Sequence, residues 1–87
     1  MIEALLLEYK RLLEERRAAI LELDGFKVEA ILRKEEKVLT ELENKLSQLT
    51  NLSPSVKSLA EEVYTLHDEV SKLTFEMIES IKEELER

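Results

Sequence analysis

His67 and the many glutamates are the residues of this sequence that could perform acid–base or metal chemistry. His67 is the single histidine, and the chain has no cysteine. A carboxylate-bridged metal site in a helical bundle needs a Glu three residues before its His ligand, but Tyr64 holds that position. The chain also has one glycine, so a glycine-rich phosphate loop is absent. The sequence predicts no catalytic residue, no metal site, no cofactor and no enzymatic activity.

The balance of charge argues against a nucleic-acid ligand. The chain has 13 basic and 20 acidic residues and a net charge of −7, whereas nucleic acids present a polyanionic backbone that binds cationic surfaces. The one basic cluster, Arg33, Lys34 and Lys37, is interrupted by two glutamates, as is typical of a solvated helix face. Residues 53–87 carry nine acidic and four basic side chains, so the acidic character is concentrated towards the end of the chain.

No segment has the pattern of a membrane span or a signal peptide. No apolar stretch approaches the ~18–20 residues that a spanning helix needs. The N-terminal residues lack the basic leader and the apolar core of a signal peptide. We therefore expect a cytoplasmic protein without a membrane span.

Two interruptions divide the chain into three helical segments. The first is Asp24-Gly25, because glycine readily adopts the left-handed conformation that ends a helix. The second surrounds Ser53, a suitable N-cap, and Pro54, which suits the first helical position. The sequence predicts a single all-α domain over 1–87, an antiparallel three-helix bundle with a long third helix. The expected helices span about 2–23, 27–50 and 54–86; fusion of the last two in a swapped dimer is an alternative.

In each of the first two helices, apolar residues recur every seven positions and form a row along one face. One charged residue interrupts this row in each helix. Arg16 interrupts the row of the first helix, and Glu35 interrupts that of the second. A tight hairpin at Gly25 places these two residues opposite each other. We expect an ion pair that fixes register rather than adding stability, because burying two charges often costs as much as their attraction returns. The alternative is that both side chains extend into solvent.

The third helix is longer than its predicted neighbours. At ~1.5 Å per residue it measures about 48 Å, against about 33 Å for the first helix. Folding back along the second helix brings Met77 level with Val28, so the following residues extend past the first turn. Their apolar side chains either pack over Phe26 or contact another protein. The candidate partner-binding residues are Phe75, Met77, Ile78, Ile81 and Leu85.

The first hairpin has the pattern of a known family. Residues 12–25 read LLEERRAAILELDG and lead into Val28, Ile31, Lys34, Lys37, Val38, Leu39, Leu42 and Leu46. This Leu-rich helix with a Glu/Arg stretch, a short Asp-Gly turn and a Leu/Lys-patterned second helix resembles the FlgN family of flagellar export chaperones. The related FliT-type chaperones have a similar layout. The resemblance covers about residues 5–49, and the third helix matches only as a long amphipathic helix.

The resemblance implies a cytoplasmic, non-enzymatic chaperone. Such a protein masks the helical C-terminal segment of hook-filament junction proteins before export, with the client bound as a helix in a hydrophobic groove. The residues themselves leave two other functions open. One is a structural or oligomerisation module, including a homodimer. The other is an adaptor that sequesters another protein by helix packing.

Overall fold

Three α-helices make up the fold. The computed structural model describes residues 2–48 and 51–86, in which α1 spans Ile2–Leu21, α2 spans Gly25–Ser47 and α3 spans Pro54–Glu86. The predicted all-α architecture with a long third helix is confirmed, and the described residues contain no strand. The predicted end of the second helix at residue 50 lies outside the described residues.

The first turn reverses the chain through Leu23 rather than through the glycine. Leu23 has a φ of 57°, and the Asp24 N–H donates to the Ala19 carbonyl at 3.0 Å. The Leu23 N–H donates to the Ile20 carbonyl, also at 3.0 Å. These two bonds form a Schellman motif, which ends a helix with one left-handed residue. The expectation that Gly25 is that residue is therefore wrong, and α1 ends at Leu21, two residues before the approximate boundary predicted at 23.

Asp24 explains why α2 begins two residues earlier than predicted. Its side-chain Oδ1 accepts a hydrogen bond from the Lys27 N–H at 3.1 Å, which satisfies a backbone donor that the first turn of a helix leaves free. Gly25 is consequently the first residue of α2 and has no positive φ. The same aspartate thus completes the end of α1 and caps the start of α2, so the connection is very short.

The start of α3 follows its sequence signals. Pro54 is the first helical residue, and the Ser53 Oγ accepts a hydrogen bond from the Val56 N–H at 3.3 Å. The prediction of an N-cap at Ser53 with Pro54 at the first helical position is confirmed. Residues 51–53 are not helical, so α2 and α3 are separate helices in this structure.

Helix α1 packs closely against both of the other helices. Helix α3 runs parallel to α1. The Lys10 Nζ lies 2.5 Å from the Glu62 Oε1 in the N-terminal halves of the two helices, and Met77, near the other end of α3, lies beside Gly25, just past the end of α1. In contrast, no Cα atom of α2 lies within 8 Å of a Cα atom of α3 among the described residues. Helix α3 therefore runs antiparallel to α2, as expected, but the helix against which α3 packs most closely is α1.

The core follows the seam where α1 meets its two neighbours. Leu12, Leu13 and Val70 are almost completely buried. Two charged residues, Arg16 and Glu35, are buried with them. The remaining core residues are Leu6, Tyr9, Ala19, Ile20, Val28, Ile31, Leu42, Val56, Val63 and Met77.

Candidate functional site

An open apolar groove runs between α2 and α3, with α1 beneath it. Leu6 and Tyr9 of α1 lie among its lining residues. The α2 side consists of Leu39, Leu42, Glu43 and Leu46, and the α3 side consists of Ala60, Val63, Tyr64 and His67. Both outer helices pack closely on α1, whereas no Cα atom of α2 lies within 8 Å of a Cα atom of α3 among the described residues. We refer to it as the α2–α3 groove.

The α2 side of the groove carries a regular apolar stripe. Leu32, Leu39 and Leu46 follow one another at seven-residue spacing and are 38%, 40% and 43% exposed. Two of the three line the groove. Residues seven apart lie on the same face of an α-helix, and leucines at this spacing are typical of a helix that packs against another helix. The stripe is therefore suited to contact with a further helix.

The α3 side combines aromatic and aliphatic contacts. The ring of His67 stacks on the buried ring of Tyr9, with centroids 6.1 Å apart and an angle of 28° between the planes. Tyr64, one turn earlier, lies 74% exposed at the edge of the groove. His67 thus serves in packing within the groove, and the described residues contain no group of three or more side chains suited to bind a metal ion.

The structure brings together the two charged residues of the α1–α2 seam. The Arg16 Nε lies 3.1 Å from the Glu35 Oε2, and both side chains are buried. Within the described residues, three of their buried polar atoms form no hydrogen bond: Arg16 Nε, Arg16 Nη2 and Glu35 Oε2. The pair is held by charge at short range rather than by well-aligned hydrogen bonds. It occupies the core and not the α2–α3 groove.

Burial changes the titration of the groups around this pair. Desolvation raises the pKa of Glu35, while the Arg16 guanidinium acts to lower it. Desolvation also raises the pKa of the Tyr9 hydroxyl, and the nearby Glu35 raises it further while Arg16 opposes the rise. Tyr9 therefore connects the groove with the buried ion pair. It lies among the residues that line the groove, and the charges of Glu35 and Arg16 act on the pKa of its hydroxyl.

The predicted partner-binding residues near the end of α3 divide into two groups. Phe75, Ile78, Ile81 and Leu85 are exposed, and we refer to these four as the C-terminal patch. Met77 is 8% exposed and belongs to the core. Its Cε lies 4.0 Å from the point that a Cβ on Gly25 would occupy. Met77 must therefore be removed from the partner-binding set.

The C-terminal patch does not fold over Phe26. That phenylalanine is 89% exposed, so the predicted alternative of a closed cluster around it is not formed. A shallow apolar depression instead joins Ile81 and Leu85 to Leu23 at the first turn. This apolar surface at the first turn shares no lining residue with the α2–α3 groove.

Comparison with known proteins identifies no relative. The chain matches no protein-family model, and neither a curated protein nor a solved structure gives a significant match. Within the described residues, no helix has a stretch long and apolar enough to cross a membrane.

Sequence reasoning located the C-terminal patch but missed the α2–α3 groove. The available signal was the width of the apolar face of α2, which comprises three adjacent seven-residue rows. Packing against α1 buries Val28, Ile31 and Leu42 and leaves the row of Leu32, Leu39 and Leu46 partly exposed. A face wider than one neighbour can cover indicates a second neighbour.

Proposed function

We propose that this protein is a non-enzymatic chaperone that binds an amphipathic helical segment of another protein in the α2–α3 groove. The observation that carries the proposal is the open, leucine-lined space between α2 and α3, whose Cα atoms nowhere approach within 8 Å among the described residues. An apolar surface of this kind in a small protein is typical of a binding site. Leucines at seven-residue spacing on its α2 side suit a helix better than a small molecule.

A fourth helix would complete the packing of the bundle. The three helices enclose the groove on two sides and below, so an added helix would contact α2 and α3 together. The α2 stripe from Leu32 to Leu46 is about 21 Å long at ~1.5 Å per residue. A client helix of about 14–18 residues covers that length. Its apolar residues would recur at three- and four-residue intervals to meet the leucines of the groove.

The resemblance of residues 5–49 to the FlgN family suggests which client this is. Under that reading the protein acts in the cytoplasm and masks the helical C-terminal segment of a hook-filament junction protein until export. The four residues of the C-terminal patch would extend the contact beyond the groove. A client longer than the groove would then contact Ile78, Ile81 and Leu85 as well.

A structural module that self-associates is the second candidate function. Tyr64, Ser71, Ile78 and Leu85 lie at seven-residue spacing on α3, and the three apolar members of this row are exposed. Such a row favours pairing of α3 with another copy of itself. In this case the exposed surface would be covered in a homodimer, and no client would be needed.

The two functions can be separated by binding and mass measurements on matched variants. Fluorescently labelled C-terminal helical segments of hook-filament junction proteins would be titrated with the native chain, and light scattering would give its mass with and without peptide. The groove variant is Leu39→Ser. Its control is Leu7→Ser, because Leu7 is also an exposed leucine (54%) and lies outside the groove.

We expect a defined complex that Leu39→Ser weakens at least tenfold and Leu7→Ser leaves unchanged, with the helical content of both variants retained. Binding of the junction segments in preference to an unrelated amphipathic peptide would support the flagellar client. A stable dimer that binds no peptide and dissociates in the Leu39→Ser or Ile78→Ser variant would instead establish the structural module.

A further inference from the structure

A row of acidic residues runs along α2 beside the leucine stripe and reaches the α2–α3 groove at Glu43. Glu29, Glu36 and Glu43 follow one another at seven-residue spacing and are exposed. At ~100° of rotation per residue, this row lies directly beside the stripe of Leu32, Leu39 and Leu46. Glu43 itself lines the groove. Side chains that flank the apolar stripe of a bound helix would therefore meet this row of carboxylates.

Most of this acidic row is not neutralised by the chain itself. Glu29 forms an ion pair with Arg33 at 2.7 Å. Within the part of the chain that the structure describes, neither Glu36 nor Glu43 forms an ion pair. Two carboxylates with the same spacing as the leucines thus remain able to bind a cationic partner.

The α3 rim offers a second feature that favours cations. Tyr64 is 74% exposed at the edge of the groove, and the face of an exposed tyrosine ring attracts a Lys or Arg side chain. The chain as a whole carries a net charge of −7, which increases the rate at which a basic partner associates.

We infer that the α2–α3 groove selects helices that carry Lys or Arg beside their apolar stripe. This inference rests on the proposed helix-binding function and specifies the chemistry of the client. The leucines provide the apolar contact common to any amphipathic helix. Glu36, Glu43 and Tyr64 then discriminate between helices by the charge of the flanking residues, because like charges at an interface disfavour binding.

Two designed peptides of about 18 residues, roughly 27 Å of helix, test the inference. Both carry leucine at the same heptad positions, and the flanking positions hold Lys in one peptide and Glu in the other. We expect the Lys peptide to bind at least tenfold more tightly at low salt. The difference should shrink at about 0.5 M NaCl, because salt screens exposed charges.

The variants Glu43→Lys and Glu41→Lys form a matched pair on α2. Both change one exposed glutamate to lysine, but only Glu43 lines the groove. Glu43→Lys should lower the affinity for the Lys peptide about three- to tenfold and raise the affinity for the Glu peptide. Glu41→Lys should alter both affinities less than twofold.

The outcomes separate the inference from the function on which it rests. Equal affinity for the two peptides, with both weakened by Leu39→Ser, would overturn the charge preference and leave helix binding in place. Equal effects of Glu43→Lys and Glu41→Lys would also overturn it, since net charge would then be the cause. Failure of both peptides to bind at any salt concentration would overturn the inference together with the proposed function.

Discussion

The Arg16 Nε lies 3.1 Å from the Glu35 Oε2 across the seam between α1 and α2, and both side chains are buried. Each residue interrupts a row that is otherwise apolar in its helix. A shift of either helix by one turn would separate the two charges and leave both buried without a partner, which is strongly unfavourable. We therefore expect the pair to fix the register in which the hairpin packs.

A double-mutant cycle at Arg16 and Glu35 tests this role. We expect Arg16→Met and Glu35→Leu each to lower the free energy of unfolding by about 3–5 kcal/mol, because each leaves one buried charge without its partner. The double variant should be as stable as the native chain or more stable, since two apolar side chains avoid desolvation altogether. Urea denaturation followed by circular dichroism measures all four proteins; additive losses in the double variant would show that the two residues act independently.

The pH dependence of stability should report the raised pKa of Glu35. A carboxyl with a higher pKa in the folded state holds its proton more tightly there, so its contribution to stability falls as the pH rises. Relative to Glu35→Gln, the native chain should be most stable below the ordinary glutamate pKa of 4.5. Its relative stability should decline above that pH. Urea denaturation from pH 4 to 7.5 measures the stability of both proteins. The difference between them at each pH removes the effects of the other acidic residues, which the two proteins share. A relative stability that grows with pH would mean that Arg16 outweighs burial.

The first turn should tolerate glycine at 23 and alanine at 25. Leu23 is exposed and has a positive φ of 57°, a conformation that costs a non-glycine residue about 1–2 kcal/mol. Leu23→Gly should therefore raise the free energy of unfolding by roughly 0.5 kcal/mol after the entropy of the unfolded chain is counted.

Gly25→Ala should also stabilise the chain, by about 0.4–1 kcal/mol, because Gly25 is helical and its added Cβ would meet only an ordinary contact. Thermal denaturation measures both changes. Marked destabilisation by Gly25→Ala would place the left-handed residue at Gly25 after all.

Met77 and Ile78 are adjacent residues in opposite environments, so replacing each of them with alanine should affect stability differently. Met77 is buried in the core whereas Ile78 is exposed. We expect Met77→Ala to lower the free energy of unfolding by about 2–3 kcal/mol through lost burial and a residual cavity. Ile78→Ala should change it by less than about 0.5 kcal/mol. Similar losses for both in denaturant titrations would indicate that the C-terminal patch is covered in solution.

The structural features that the sequence could predict depend on the local chemistry of a few residues or on the pairing of residues across a tight hairpin. Ser53 and Pro54 mark the start of α3 through their own capping and backbone properties. Arg16 and Glu35 fall opposite each other because a tight hairpin pairs residues at equal distances from the turn. Both inferences need only the order of residues and the geometry of an α-helix.

The features that sequence missed depend on competition between tertiary contacts. A leucine in the left-handed conformation is intrinsically unfavourable, and Leu23 adopts it because Asp24 then caps α2 directly. The separation of α2 from α3 depends on how each packs on α1, which no single helix specifies. The sequence therefore shows that the apolar face of α2 is wide, but it does not show that Leu39 lines an open groove rather than the core.

Paramagnetic relaxation tests most directly whether the α2–α3 groove binds a helix. The chain has no cysteine, so a spin label on the Lys-flanked amphipathic peptide acts on an unmodified protein with isotope-labelled methyl groups. We predict the strongest broadening for the Leu39, Leu46 and Val63 methyl signals and weaker broadening for Leu7, because the effect of the label falls steeply with distance. Broadening confined to Ile78, Ile81 and Leu85, or spread equally to Leu7, would contradict the groove as the binding site.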